Sequence, residues 1–205
     1  MPPDEHARAE ALPGRCRQLF VDAKTRDLRL VDTKAQFRVV TAAETAEFVA
    51  QVARVKRAYL DGGPGLSGDL DKGLALVQEY AAQAEAASKR KAELANAQSL
   101  FGLEVVPYPD LAWVAADLDK MHQIYGLYQV QKDFQDAQSS TLWGELDVKS
   151  LQDGCEAIEK KCKKFPEELR SVPVFKDVAT TIAVFKDSLP LIVSLKNDAM
   201  QPRHW

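Results

Sequence analysis

From Asp69 toward Leu100 the chain runs without a strong breaker, and its middle is crowded with Ala, Lys, Glu and Gln, all good helix formers. Asp69 stands where a capping residue would open the helix, and Leu70, Leu74, Val77, Ala81, Ala84 and Leu94 lie along it. At roughly thirty residues it is long for a globular helix. A helix of that length points to an extended bundle in which other helices pack beside it.

The flanking sequence supplies such helices. Thr41 and Glu44 form a T-x-x-E box, the pattern in which two side chains satisfy free N–H groups at a helix start. Phe48, Val52, Val55 and Tyr59 then make one apolar stripe, ended by the breaker cluster Asp61-Gly-Gly-Pro-Gly65. After a stiff connector through Pro107-Tyr-Pro109, a third helix is expected from Asp110. It carries Leu111, Val114, Leu118, Met121, Tyr125 and Tyr128 at steps of three and four. A polar stretch, Gln135 to Thr141, precedes Leu142-Trp143-Gly144. A fourth helix after Asp147 carries Leu151, Cys155, Ile158, Cys162, Phe165 and Leu169, with Pro166 interrupting it. A fifth opens at Pro173 and carries Phe175, Val178, Ile182, Phe185, Leu189 and Ile192, bent at Pro190.

Within residues 1–40 the apolar positions Leu28, Leu30, Phe37, Val39 and Val40 fit short strands or helical pieces equally. With no βαβ alternation and no fixed-length repeat, the fold class is all-α. The expected architecture is an elongated antiparallel bundle of four to five amphipathic helices over residues 41–205, preceded by an irregular segment over 1–40.

Composition narrows the function classes. The 205 residues are 46 % apolar and 28 % charged, with a net charge of −3, so no general attraction to nucleic acid or anionic membranes is expected. Three cysteines do not fit a closed disulfide framework. Cys155 and Cys162, roughly 10 Å apart on a helix, are too far apart to bridge. A reducing, cytoplasmic setting is the natural reading. The polar N-terminus has no signal-peptide pattern, and no apolar run is expected to reach bilayer-spanning length.

Catalytic signatures are absent or out of context. Gly63-Pro-Gly65-Leu-Ser-Gly68 spells G-x-G-x-x-G, but that motif cradles a pyrophosphate only after a strand. Here a helix precedes it and Pro64 removes an N–H, so an interhelical loop is the better reading. No G-x-x-x-x-G-K-[ST] or G-x-S-x-G occurs, and His6, His122 and His204 stand far apart. His122 reads as a boundary residue, and Cys155 and Cys162 as small hydrophobes rather than reactive thiols. Lys160-Lys-Cys-Lys-Lys164 reads as a charge-paired face, with Glu156 and Glu159 each four residues before a lysine, rather than as a docking patch. Trp113 and Trp143 read as packing residues at helix contacts. No residue set supports an enzyme.

The C-terminal run Ser188-Leu-Pro-Leu-Ile-Val-Ser-Leu-Lys-Asn-Asp-Ala-Met-Gln-Pro-Arg-His-Trp205 closely resembles a stretch of dynein heavy chains, where such a helix turns into Arg-His-Trp at the start of the linker. Its landmarks here are Leu189, Pro190, Leu191, Ile192, Arg203, His204 and Trp205. Upstream, Gly62-Gly-Pro64 resembles the family's Gly-Pro loop. Leu100, Phe101, Gly102 and Leu103 with Tyr108, Pro109 and Leu111 resemble its Leu-Phe-Gly-Leu … Tyr-Pro-Glu-Leu connector. Ile124-Tyr-Gly-Leu-Tyr128, and Leu142 with Trp143, fall where axonemal heavy chains have similar residues. Ala97-Gln-Ser99 and Gln201-Pro202 depart from the family pattern on connectors.

The resemblance, over about Phe48 to Trp205, implies the distal tail of an axonemal heavy chain leading into the linker (N-terminal region 2). It implies a mechanical and non-catalytic segment of the motor that drives ciliary and flagellar movement. ATP and Mg would belong to the parent AAA+ motor, and no cofactor or metal to this segment. Expected partners are other parts of the same heavy chain, intermediate and light chains or neighbouring heavy chains, and microtubules only through the parent motor. Nucleic acid and membrane are not expected. The location would be the cytoskeleton of the cytoplasm and the axoneme. A cytoplasmic transport dynein tail and a stand-alone spectrin-like scaffold are the alternatives. Asn197-Asp198 would cap a helix opened by the terminal motif, with Met200 to Trp205 expected to fray.

Overall fold

The computed structural model describes the backbone of residues 3–196 and side-chain surroundings from residue 11 onward. Arg203, His204 and Trp205, the Asn197-Asp198 cap and the expected fraying lie outside the described residues. The elements are α1 (Pro3–Gly62), a 3-10 turn (Pro64–Leu66), α2 (Leu70–Leu100), α3 (Pro109–Ser139), α4 (Val148–Lys163), α5 (Glu167–Arg170) and α6 (Pro173–Leu195). Among the described residues there is no strand, and the all-α class holds. Two compact units are present: Met1–Ala50 with Lys89–Pro107, and Gln51–Ser88 with Tyr108–Trp205.

Residues 1–40 are not irregular where described: α1 starts at Pro3 and passes through Thr41 without a break. The structure therefore has no boundary at residue 40. The T-x-x-E box is not a helix start either. Thr41 is buried, its carbonyl accepts the Thr45 hydroxyl at 2.7 Å, and the Glu44 carboxylate pairs with Arg90 at 2.9 Å. No apolar stripe marks this stretch because, apart from the Phe37 ring against Phe101, residues 11–40 are exposed. An apolar stripe is the imprint of a packed face, and this stretch packs no such face.

In the first unit, α2 presents Leu94 and Gln98 to the interior, both almost fully buried. The Gln98 amide donates to the Thr45 hydroxyl at 3.1 Å, and its carbonyl oxygen accepts the Val106 N–H at 3.4 Å. A buried amide satisfied on both sides fixes register as well as adding stability. The helix then ends at Gly102, which adopts φ +65°. The N–H of Leu103 reaches back to the Gln98 carbonyl at 2.8 Å and that of Gly102 to Ser99 at 3.3 Å. This is a Schellman cap, whose left-handed position favours glycine. Phe101 stacks on Phe37 with centroids 5.5 Å apart.

In the second unit the expected helix signals hold. Asp69 accepts the N–H groups of Asp71 and Lys72, and Asp147 accepts that of Lys149. Pro109 and Pro173 occupy first-turn positions. Pro166 separates α4 from α5, as expected of a residue that cannot continue a helix. The largest core cluster joins Val77 of α2, Met121, Ile124, Tyr125 and Leu127 of α3, Ile158 of α4, and Val174, Phe175, Val178 and Ile182 of α6.

α6 corrects one expectation, because by length and composition it is apolar enough to cross a bilayer. Lys186 and Asp187 interrupt its apolar run at mid-helix. One face of α6 packs into the core clusters, and Lys186 pairs with Glu159 at 2.8 Å.

Gln131 of α3 is fully buried, and neither polar atom of its amide finds a partner among the described residues. Desolvating an unsatisfied amide costs about 1–3 kcal/mol. Gln131→Leu is therefore expected to raise the urea midpoint, by about 1–2 kcal/mol in unfolding free energy; a lower midpoint would mean that the amide is satisfied.

Candidate functional site

The landmarks of the second unit meet where the Gly-Pro loop touches α3. The Gly63 N–H bonds to the Tyr59 carbonyl at 2.8 Å. A Cβ on Gly63 would stand 2.2 Å from that oxygen, so the chain turns this tightly only with glycine there. Leu66 and Ser67 donate to the carbonyls of Gly63 and Pro64 at 3.1 and 3.4 Å. These N–H groups are spent inside the loop, and G-x-G-x-x-G is an interhelical loop here, not a phosphate cradle.

The second lone pair of the Pro64 carbonyl faces Tyr125. Its hydroxyl donates to that oxygen at 2.8 Å, and its ring is fully buried. The ring occupies a notch in α2, where a Cβ on Gly73 would fall 1.9 Å from the Tyr125 oxygen. Burial first, then the carboxylates of Asp177 and Asp69, push the phenol up to about 12. It therefore stays a proton donor at neutral pH. Tyr59 donates to Asp117 at 2.7 Å, and burial followed by that bond raises its pKa well above the phenol range. Tyr128 and Lys132 both bind Asp71, at 2.9 and 2.6 Å; the Lys132 contact is the main cause that lowers the Asp71 carboxyl.

A second ionic cluster sits on α4. Glu159 accepts Lys163 and Lys186, each at 2.8 Å, and these bonds hold its carboxyl down at about 2. Burial raises the thiols of Cys155 and Cys162, the reverse of nucleophile activation. Cys155 packs with Leu151 and Leu189 against Phe134, Phe185 and Ile192. Gly154 allows the approach, since a Cβ there would be 2.4 Å from the Phe134 ring.

The landmark residues do not form one site. Phe101, Gly102 and Leu103 cap α2 in the first unit, while Leu100 is exposed. Tyr108, Pro109 and Leu111 open α3 in the second, with Tyr108 and Leu111 buried. Leu142 is exposed. Trp143 is half-exposed, with the Lys196 ammonium 5.9 Å from its ring centre and bonded to the carbonyls of Trp143 and Gly144. Trp113 likewise lies half-exposed under Lys56 and meets the Tyr59 ring edge-on at 6.2 Å, a packing residue at a helix contact. Leu189 is buried, Ile192 half-buried, and Pro190 and Leu191 exposed; α6 continues through Pro190. His122 is exposed. Sequence reasoning missed Gly73, Gln98 and Lys186. A glycine inside an otherwise strong helix was the available signal for the first.

The arrangement is one of pins and caps, and comparison with known proteins places it. The signature described as "Dynein heavy chain, N-terminal region 2" matches residues 111–205. The human dynein axonemal heavy chain 10 is 34 % identical over 206 aligned residues, spanning all of this chain and 5 % of that protein. The Chlamydomonas reinhardtii dynein-1-alpha heavy chain of the flagellar inner arm I1 complex is 33 % identical, over 98 % of this chain and 4 % of its own length. The mouse dynein axonemal heavy chain 5 is 31 % identical over 53 % of this chain and 2 % of its own. The chain belongs with the N-terminal regions of axonemal dynein heavy chains. It spans about a twentieth of the length of such relatives. In this heavy-chain region, Tyr125 of the Ile124-to-Tyr128 landmark anchors the Gly-Pro loop, and the Phe101-Gly102 landmark is a helix cap.

Two outcomes are expected. Tyr125→Phe should lower unfolding free energy by about 1 kcal/mol through the lost hydrogen bond to the Pro64 carbonyl, and an unchanged urea midpoint would contradict the pin. The Glu159 carboxyl lies below its usual 4.5 when folded. Its stabilisation is therefore complete above about 4.5 and lost as pH falls toward 2. Glu159→Gln should flatten the acid limb of a stability–pH curve in that window; an identical limb in both proteins would show that the pair does not act.

Proposed function

We propose that this chain is a mechanical, non-catalytic segment of an axonemal dynein heavy chain, working within an ATP-driven motor for ciliary and flagellar movement. The observation that carries the reading is the alignment of the whole chain with an axonemal heavy chain, with residues 111–205 matching the N-terminal region 2 signature. The physical chemistry is consistent with it. Buried Tyr125 donates to a loop carbonyl and buried Tyr59 to Asp117, the thiols of Cys155 and Cys162 are raised, and Lys160 and Lys163 of α4 pair with glutamates. Packed helices deform little under load, which suits a part that passes on force generated elsewhere.

On this reading ATP and Mg are handled by the parent motor, and this segment's contacts are with other parts of the heavy chain and with associated dynein subunits. Its place is the axoneme. An antibody raised against residues 51–196 should label axonemes, and high-salt extraction should release the antigen with the axonemal dynein ATPase. Label confined to the cytoplasm, or antigen left behind when dynein arms are extracted, would overturn the axonemal assignment. The purified chain should hydrolyse no ATP above buffer with Mg; a motor-like turnover abolished by chelation would overturn the non-catalytic one.

A further inference from the structure

The basic run on α4 divides into two pairs with different surroundings. Lys160 and Lys163 are taken up by Glu156 and Glu159, at 3.4 and 2.8 Å. Lys161 and Lys164 meet no carboxylate within ion-pair distance among the described residues, and both line a groove of about 410 Å³ between α3 and the α4–α5 turn. The groove's other lining is mainly apolar: Leu127, Val130, Phe165 and Pro166. No carboxylate lines it; Glu167 and Glu168 lie just beyond.

The groove is built to keep its shape. Arg170 donates to the carbonyls of Phe165 and Lys163 at 2.7 and 2.6 Å and so clamps the turn. Phe165 rests against Phe175, with centroids 5.5 Å apart. Gly126 also lines the groove, and a Cβ there would meet nothing within 4 Å. Helix packing inside the unit therefore does not require this glycine, which leaves the groove open along α3. Fixed walls reduce the ordering cost of binding.

We propose that this groove docks an acidic amphipathic helix of a partner polypeptide, with its apolar face on Leu127, Val130 and Phe165 and its carboxylates on Lys161 and Lys164. The two lysines are three residues apart at the end of α4, Lys161 in its last turn and Lys164 at its C-cap, a spacing at which side chains are neighbours. A partner helix bearing glutamates three or four residues apart beside a leucine row is complementary in charge and in apolar surface. Polyanions without apolar side chains would satisfy only the lysines, and neutral apolar helices only the floor.

The test uses the full chain and a fluorescein-labelled amphipathic helical peptide, with leucines along one face and glutamates flanking them. Anisotropy should report saturable binding that weakens with added salt. Lys161→Glu combined with Lys164→Glu should weaken it roughly tenfold or more. Gly126→Leu, which fills the groove while improving helix propensity, should weaken it similarly without lowering the melting temperature. The proposal is overturned if the peptide does not bind, or if the double variant binds it equally well. It is also overturned if a lysine-substituted peptide or polyglutamate binds as tightly, or if phosphatidylserine vesicles bind the chain while the peptide does not.

Discussion

The second unit depends on one close approach: the buried ring of Tyr125 fills the space that Gly73 leaves open in α2, and its hydroxyl satisfies the carbonyl of Pro64. Three segments are joined there, namely the loop that follows α1, the start of α2, and α3 about fifty residues further on. The loop is itself folded back on Tyr59 by a glycine that no other residue could replace without a clash. Around this point Met121, Ile124 and Val77 complete a core that α4 and α6 close. The contact couples a steric fit to a hydrogen bond in a water-excluded place, where each reinforces the other.

The electrostatics favour pairing and fixed protonation. The shifted groups shift toward inertness or toward pairing: phenols are held protonated, thiols are raised by burial, and Glu159 is held ionised between two lysines. Kinship with axonemal heavy-chain N-terminal regions agrees with that chemistry.

Helices with a buried face were legible in the sequence, because burial leaves a period. Val114, Leu118, Met121 and Tyr125 in α3, and Val178 and Ile182 in α6, appear buried as their spacing required. Residues 11–40 were not legible, since a helix exposed almost all round carries no such period. The Thr41-to-Glu44 pattern misled for a related reason. The same letters serve a helix interior when Thr45 bonds back to the Thr41 carbonyl and Glu44 reaches Arg90. The Leu100-to-Leu103 landmark was recognisable by resemblance, but its cause is a left-handed glycine that only backbone geometry reveals. The Tyr125 pin was hidden because its two halves, Gly73 and Pro64, come from different segments.

Gly73→Ala tests this account most directly, because helix propensity and the close contact predict opposite signs. Propensity alone would stabilise α2 by about 0.8–1 kcal/mol. The Tyr125 ring is enclosed and hydrogen-bonded, so it cannot step aside for the new methyl group. Gly126→Ala serves as the reference, being a helical glycine with open space at its Cβ. By thermal and urea unfolding, Gly73→Ala should destabilise the protein by about 2 kcal/mol or more, while Gly126→Ala leaves it unchanged or more stable. If Gly73→Ala matched Gly126→Ala, the close approach of Tyr125 to α2 would not be what holds this unit together.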